Sequence, residues 1–297
     1  MFQQILRHFV AVILCGFLVG CATVPTTKYA NSPLEFADAA ETFYRPANLK
    51  QTKLFRPTKG EGPYPGVVLL PSCAGVADGD YDWVQRYVTT GYVVLVVDSN
   101  TPRGVAANCR LPVAVTLDQI AEDTSAALAH LRSRTFVDGE RLGIVGFSWG
   151  TMAALRISGA SYQRRLSQGA AGLRAIAFFY GSCGTHSSNP ESRANTNNLS
   201  DDLVTPTMMF LGGLDTEAQP GFCTEKADRL KDRGLPIDFK LYPQATHAFD
   251  KSIWGVSGRT VDSGERGKHT YRYDPAATAD AWSKTLAFFE RELRQAN

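Results

Sequence analysis

The feature that most constrains how this chain folds is a series of short, nearly continuous apolar runs rich in β-branched and aromatic residues. These runs cover residues 66–71, 92–98, 141–147, 175–180, 205–213 and 237–243. Such runs are typical of strands in a parallel sheet that is buried on both faces. The chain therefore predicts a central, mostly parallel sheet.

Helical periodicity occurs between these runs and after the last one. One helical face carries Ile120, Thr124, Ala127, Leu128 and Leu131, and another carries Trp282, Leu286, Phe289 and Leu293. Alternating strands and helices predict a three-layer α/β fold, with helices on both faces of the sheet. We expect one domain over residues 37–297, and segments 40–46 and 51–57 predict an additional hairpin at one sheet edge.

The N-terminus has the pattern of an exported protein. Arg7 and His8 precede the apolar run 9–19, which is too short to cross a bilayer of about 30 Å but fits a signal peptide. The run ends in Leu-Val-Gly-Cys at residues 18–21, which resembles a bacterial lipobox. This resemblance implies a signal peptide over 1–20, lipidation of Cys21 and a tether over 21–36. A plain signal peptide is the alternative. Because Ala22 follows the cysteine instead of aspartate, we expect a lipid anchor in the cell envelope, in the outer membrane.

Charge and cysteine content narrow the function further. The formal net charge is +2 and the charges are evenly mixed, so nothing indicates a nucleic-acid partner. In an exported protein the four cysteines of the mature chain suggest disulfides, for which three pairings exist. Metal binding is the weaker alternative, because no close Cys-x-x-Cys pair is present. These cysteines are Cys73, Cys109, Cys183 and Cys223.

Ser148 lies in the pentapeptide Gly-Phe-Ser-Trp-Gly, directly after an apolar run and before the helix-forming segment 151–158. This is the strand–turn–helix context of a nucleophile elbow. Gly146 and Gly150 would leave room for a sharp turn at the serine. An ordinary Gly/Ser loop is the alternative, but the context favours a nucleophilic serine.

A nucleophilic serine needs a base and an orienting acid, which in this type of fold follow it in the order Asp, His. Asp215 follows the run 205–213, and His247 follows the next run. Both positions lie at the carboxyl ends of predicted strands, where active-site groups meet. Of the other histidines, we interpret His130 as a structural or solvated residue of a helix, and His186 and His269 as surface residues of polar loops. Of the other acids, Asp98 ends a strand but precedes the serine, and we interpret Asp201, Asp202 and Asp250 as capping or solvated residues.

The segments GFSWG, LGGLDTEAQP and YPQATHAFD together resemble the dienelactone hydrolase family of the α/β-hydrolase superfamily. The resemblance extends over roughly residues 60–295. The segment from Tyr242 to Phe249 is its most family-specific part. The chain departs from the family pattern at two points. Ser148 stands where the namesake enzymes use cysteine, and Pro71-Ser72 stands where His-Gly often follows the third strand.

The resemblance implies a serine esterase that acts on a small-molecule ester by two-step acyl transfer and requires no metal or organic cofactor. The oxyanion would be bound by the backbone N–H of Trp149 and by that of Cys73 or Ala74. Because the namesake enzymes hold a substrate carboxylate with arginine, Arg103 is a candidate for that contact, and a surface arginine is the alternative.

The resemblance also implies the cysteine pairing, because it makes the strands before Cys73 and Cys109 neighbours, and likewise those before Cys183 and Cys223. We therefore predict Cys73–Cys109 and Cys183–Cys223, with free buried cysteines as the alternative. Two functional alternatives to an esterase remain. One is a serine peptidase or polyester hydrolase of the same fold, and the other is a non-catalytic surface lipoprotein that binds a ligand.

Overall fold

The computed structural model describes residues 41–42, 53–109, 113–184, 197–263 and 267–294. The predicted signal peptide, Cys21, the tether and His186 lie outside the described residues. Within these ranges no helix is both long and apolar enough to cross a membrane.

One sheet in the described part of the chain contains eight strands. They are β1 (Glu41–Thr42), β2 (Lys53–Arg56), β3 (Tyr64–Leu70), β4 (Val93–Val96), β5 (Val137–Phe147), β6 (Leu173–Phe179), β7 (Thr207–Gly212) and β8 (Ile237–Tyr242). Their spatial order is β1-β2-β4-β3-β5-β6-β7-β8. All neighbouring pairs are parallel except β2 with β4. The predicted mostly parallel sheet is confirmed.

The predicted edge hairpin is wrong. β1 pairs with β2 in parallel, so the two segments do not form an antiparallel hairpin. β2 instead pairs antiparallel with β4, with Leu54 opposite Leu95. This pairing buries Leu54 and Phe55 almost completely, which a separate solvent-exposed hairpin would not do.

Helices cover both faces of the sheet. They are α1 (Asp78–Thr89), α2 (Leu117–Arg132), α3 (Trp149–Ile157), α4 (Ala160–Gln163), α5 (Pro220–Asp232) and α6 (Pro275–Phe289). A hairpin of β9 (Arg259–Asp262) and β10 (Lys268–Tyr271) lies apart from the main sheet. At the start of α2, the Thr116 hydroxyl accepts the Gln119 N–H, and the Gln119 side chain accepts the Thr116 N–H. This reciprocal capping explains where the helix begins.

Alternate residues of each central strand bury against opposite helix layers. In β3, Val67 and Leu69 belong to the core beneath α1 and α6, whereas Val68 and Leu70 belong to the core beneath α2 and α3. Each fully buried side chain of this type contributes about 1.5–3 kcal/mol. Burial on both faces explains the nearly continuous apolar runs. It leaves polar residues to the loops at the strand ends, where the site lies.

Candidate active site

Ser148 occupies a strained turn between β5 and α3. Its backbone has φ 50° and ψ −110°, a region that residues other than glycine rarely adopt and that costs about 1–3 kcal/mol. A Cβ atom on Gly146 would lie 2.9 Å from Thr151 Cα, and one on Gly150 would lie 2.5 Å from the Pro71 carbonyl oxygen. Only glycine fits at these two positions. The predicted steric reason for the two glycines is therefore confirmed.

Ser148, His247 and Asp215 form a continuous chain of hydrogen bonds. His247 Nε2 lies 2.9 Å from Ser148 Oγ, and His247 Nδ1 lies 2.8 Å from Asp215 Oδ2. The other carboxylate oxygen, Asp215 Oδ1, accepts the backbone N–H groups of Glu217 and Ala218 at 2.8 and 2.9 Å. The structure thus brings together the three residues predicted from the sequence and holds the acid in one orientation.

The surroundings of His247 favour its charged form. Burial lowers the pKa of His247, but the charge and hydrogen bond of Asp215, then the charges of Glu217 and Asp250, outweigh it. The net effect raises the pKa above its ordinary value of about 6.5. The ring is only 7% exposed, and the edge-on Tyr180 ring lies 4.8 Å away between centroids. A buried base beside a carboxylate matches general-base chemistry at the serine.

A cavity lies beside Ser148, and two of the three residues predicted to supply an oxyanion donor line it. Cys73 and Trp149 line it, and within the described residues their backbone N–H groups have no acceptor. The Cys73 carbonyl accepts hydrogen bonds from Asn108 N–H at 2.7 Å and Asn100 Nδ2 at 3.2 Å, which fixes this peptide. The Ala74 N–H instead donates to Ser72 Oγ at 3.3 Å, and Ala74 does not line the cavity. The geometry favours Cys73 over Ala74.

Both predicted disulfides are present. Cys73 and Cys109 are bonded with a Cα–Cα distance of 4.9 Å, and Cys183 and Cys223 with one of 5.2 Å. Metal binding by these cysteines is thereby ruled out. The first disulfide forms one wall of the cavity above Ser148, which has a volume of about 170 Å³. The site is therefore a small pocket beside a loop that is covalently fixed.

Arg103 is not brought to this cavity. Its guanidinium donates to Asp123 Oδ2 at 2.7 Å and Oδ1 at 2.9 Å, and to the Ser99 carbonyl at 2.8 Å. The side chain is only 5% exposed. This bidentate pair joins the loop after β4 to α2, so Arg103 has a structural role, and its guanidinium is not placed for the expected contact with a substrate carboxylate.

Two further polar residues beside His247 were not singled out in the sequence. Glu217 Oε2 lies 3.5 Å from His247 Nε2, and it accepts a hydrogen bond of 2.8 Å from the Tyr271 hydroxyl. Glu217 follows Asp215 by two residues, which is the only sequence signal for it. Tyr271 ends β10 in a polar segment and carries no recognisable signal.

A buried polar network contacts the cavity wall at Tyr180. The Tyr180 hydroxyl and Trp83 Nε1 donate to Asp250 at 2.5 and 2.7 Å. Lys251 Nζ lies 2.9 Å from Asp80 and 3.3 Å from Asp250. Asp250 was expected to be a capping or solvated residue, but it is buried in this network. His269 is also buried, contrary to the expectation of a surface residue, and its Nδ1 lies 2.9 Å from the Thr216 hydroxyl.

Known proteins resemble this chain along most of its length. A Methylorubrum extorquens protein named "Putative carboxymethylenebutenolidase" is 26% identical over 247 residues, covering 79% of this chain and 74% of that protein. A Bradyrhizobium protein named "Probable 2-oxo-3-(5-oxofuran-2-ylidene)propanoate lactonase" is 24% identical over 238 residues, covering 78% and 86%.

A solved structure has the same fold. A dienelactone hydrolase-like promiscuous phosphotriesterase from metagenomic libraries superposes with a TM-score of 0.60 at 19% identity, covering 81% of this chain and 92% of that chain. The sequence profile of the dienelactone hydrolase family matches residues 50–293. This range contains every site residue described above. The chain belongs to the dienelactone hydrolase family, whose members hydrolyse ester and lactone bonds.

Proposed function

We propose that this chain is a carboxylesterase that cleaves small esters with Ser148 as nucleophile, His247 as general base and acid, and Asp215 as the orienting acid. The observation that carries the proposal is the hydrogen-bonded chain from Ser148 Oγ through both ring nitrogens of His247 to Asp215, at 2.9 and 2.8 Å. This is the arrangement that activates a serine hydroxyl.

The reaction proceeds in two halves. His247 Nε2 takes the Ser148 proton as Oγ attacks the ester carbonyl carbon, and the N–H groups of Cys73 and Trp149 bind the oxyanion. The imidazolium then gives its proton to the departing alcohol oxygen, which leaves an acyl-serine. Water adds to this acyl group with His247 again as base, releasing the acid and restoring Ser148. Asp215 accepts the hydrogen bond from the Nδ1–H group throughout and does not itself become protonated.

The cavity supports a small ester over the alternatives raised by the sequence. A volume of about 170 Å³ suits a short acyl chain better than a polymer segment. A non-catalytic binding protein would have no need for an aligned Ser148, His247 and Asp215. The name of the Bradyrhizobium relative adds lactones to the substrates worth testing.

Substitution of Ser148 tests the proposal. We expect Ser148→Ala to lose hydrolysis of p-nitrophenyl butyrate by at least about a thousandfold while its circular dichroism spectrum is unchanged. The matched control is Ser182→Ala, because Ser182 also lines the cavity but hydrogen-bonds to Gly184 instead of His247. Near-normal turnover by Ser148→Ala would refute the assignment.

We also propose that the protein is anchored in the bacterial outer membrane through a lipid on Cys21. The lipobox-like residues 18–21 and the Ala22 that follows support this proposal. Cys21→Ser should abolish acyl labelling and detergent-dependent membrane association, whereas Cys15→Ser should preserve both. Unchanged membrane association in Cys21→Ser, with no acyl label on the natural protein, would reject the anchor.

A further inference from the structure

We propose that Glu217 places a negative charge on the leaving-group side of the active site, so that the enzyme accepts esters of neutral or cationic alcohols and rejects esters of carboxylate-bearing alcohols. The inference rests on the esterase function proposed above and specifies the alcohol half of its substrate.

The Glu217 carboxylate is fixed at the reacting centre. Its Oε2 lies 3.5 Å from His247 Nε2 and accepts the Tyr271 hydroxyl at 2.8 Å. Its backbone N–H donates to Asp215 Oδ1 at 2.8 Å. The side chain is 17% exposed and lines the cavity. Because both ends of the residue are held, the charge stays next to Nε2.

The position beside Nε2 determines which half of the substrate meets this charge. His247 Nε2 delivers its proton to the oxygen of the departing alcohol, so that oxygen must come within hydrogen-bond distance of Nε2. The alcohol group attached to it then extends past Glu217. The acyl group remains on Ser148 and is farther from the carboxylate.

The buried network below the cavity adds to the negative potential. Asp80 and Asp250 share one ammonium group, that of Lys251, so the cluster has one carboxylate in excess. It contacts the cavity wall through the Tyr180 hydroxyl, which donates to Asp250 at 2.5 Å. Burial, followed by the charge of Asp250, raises the pKa of Tyr180 well above its ordinary value, so this hydroxyl stays neutral.

The described residues that line the cavity include no basic side chain except His247. Arg103, the expected carboxylate anchor, is paired with Asp123 and does not line the cavity. Among the described residues that line the cavity, a carboxylate on the alcohol would therefore meet the Glu217 carboxylate and no basic side chain other than His247. Coulomb repulsion between unit charges several ångströms apart, at an effective dielectric near 20, predicts discrimination of about tenfold or more.

The test uses three aryl acetates that differ only in the para substituent of the alcohol: para-carboxyphenyl, para-(methoxycarbonyl)phenyl and para-(trimethylammonio)phenyl acetate. In Glu217→Gln, kcat/KM for the anionic ester should rise about tenfold relative to the neutral ester, and that for the cationic ester should fall. For each ester, kcat/KM of Glu217→Gln is divided by kcat/KM of the natural enzyme. Differences in leaving-group reactivity between the esters cancel in this ratio. The preference of the natural enzyme for the neutral ester over the anionic ester should also weaken at high salt.

Controls separate charge from structure. Tyr271→Phe keeps the Glu217 charge but removes the hydrogen bond that holds the carboxylate beside Nε2, so the discrimination should weaken and keep its direction. Asp228→Asn removes a charge on the exposed face of α5 and should leave the ratios unchanged. Arg110 is a basic residue outside the described residues, so its effect on the selection is tested separately. Arg110→Gln is measured with the same three esters and should also keep the discrimination.

The outcomes distinguish the two proposals. If Ser148→Ala still hydrolyses all three acetates, the proposed function fails. If hydrolysis depends on Ser148 but the ratio of Glu217→Gln to natural kcat/KM is the same for all three esters, the esterase stands and the charge selection is refuted. A natural preference for the anionic ester, whether or not Arg110→Gln abolishes it, would also overturn the selection.

Discussion

His247 lies among three carboxylates, and their charges set the pH at which it can act as a base. Only the neutral ring can take the Ser148 proton. Because the folded pKa is raised, activity is lost as the pH falls through a value above about 6.5. The carboxylates that raise it are those of Asp215, Glu217 and Asp250, and the Tyr180 and Tyr271 rings also face His247.

Removing one of these charges should shift the acid limb of activity in a known direction. Glu217→Gln takes away a negative charge that favours the imidazolium, so the midpoint of kcat/KM for a neutral ester should move to lower pH. The measurement is a profile from about pH 5 to about pH 9. Asp228→Asn should keep the natural midpoint, and an upward or absent shift in Glu217→Gln would contradict the electrostatic account.

The nucleophile, base and acid could be predicted because each has a local sequence signal and a fixed chain order. Ser148 has two flanking glycines, and Asp215 and His247 each follow an apolar run. Glu217 could not be predicted, since its importance comes from the Tyr271 hydroxyl 54 residues away. Arg103 was misplaced for the same reason, because its partner Asp123 lies on a separate helix.

At the scale of elements, two loops at the carboxyl edge of the sheet are fixed covalently. Cys73 follows β3, and its bond to Cys109 closes 36 residues; the Cys183–Cys223 bond closes 40 residues. Loops of these lengths predict nearly equal stabilisation, about 4 kcal/mol each by the chain-entropy relation. Only the first disulfide, however, holds a peptide that we assign to the oxyanion site.

This difference gives a paired prediction. Cys73→Ala with Cys109→Ala, and separately Cys183→Ala with Cys223→Ala, should lower the free energy of unfolding by similar amounts in urea titrations. The first pair should in addition lower kcat at a temperature where both variants are folded, because the Cys73 N–H is no longer held in place. An equal loss of kcat in the two variants would contradict the assignment of the Cys73 N–H as an oxyanion donor that this disulfide holds in place.

The strands were predictable because burial on both faces leaves each as a nearly continuous apolar run. Other elements have no such signal. All four residues of β9 are exposed, so its sequence shows no apolar alternation. The two-residue β1 is too short for a pattern, and its parallel pairing with β2 depends on where the edge of the sheet lies.

At the scale of the whole molecule, the topology explains why distant segments meet at one site. β5, β7 and β8 are parallel and lie within one half of the sheet, so the loops after them open at the same edge. These loops contribute Ser148, Asp215 and His247. The β9–β10 hairpin adds Tyr271 beside them, which the general α/β architecture alone does not predict.

The most direct test of the central claim is covalent labelling of the intact protein with a fluorophosphonate, followed by intact mass and peptide mapping. We predict a single adduct on Ser148 and loss of esterase activity in proportion to labelling. His247→Ala should slow the labelling by about a thousandfold, because the hydroxyl then has no base. An adduct on another residue, or full esterase activity after complete labelling of Ser148, would contradict the account.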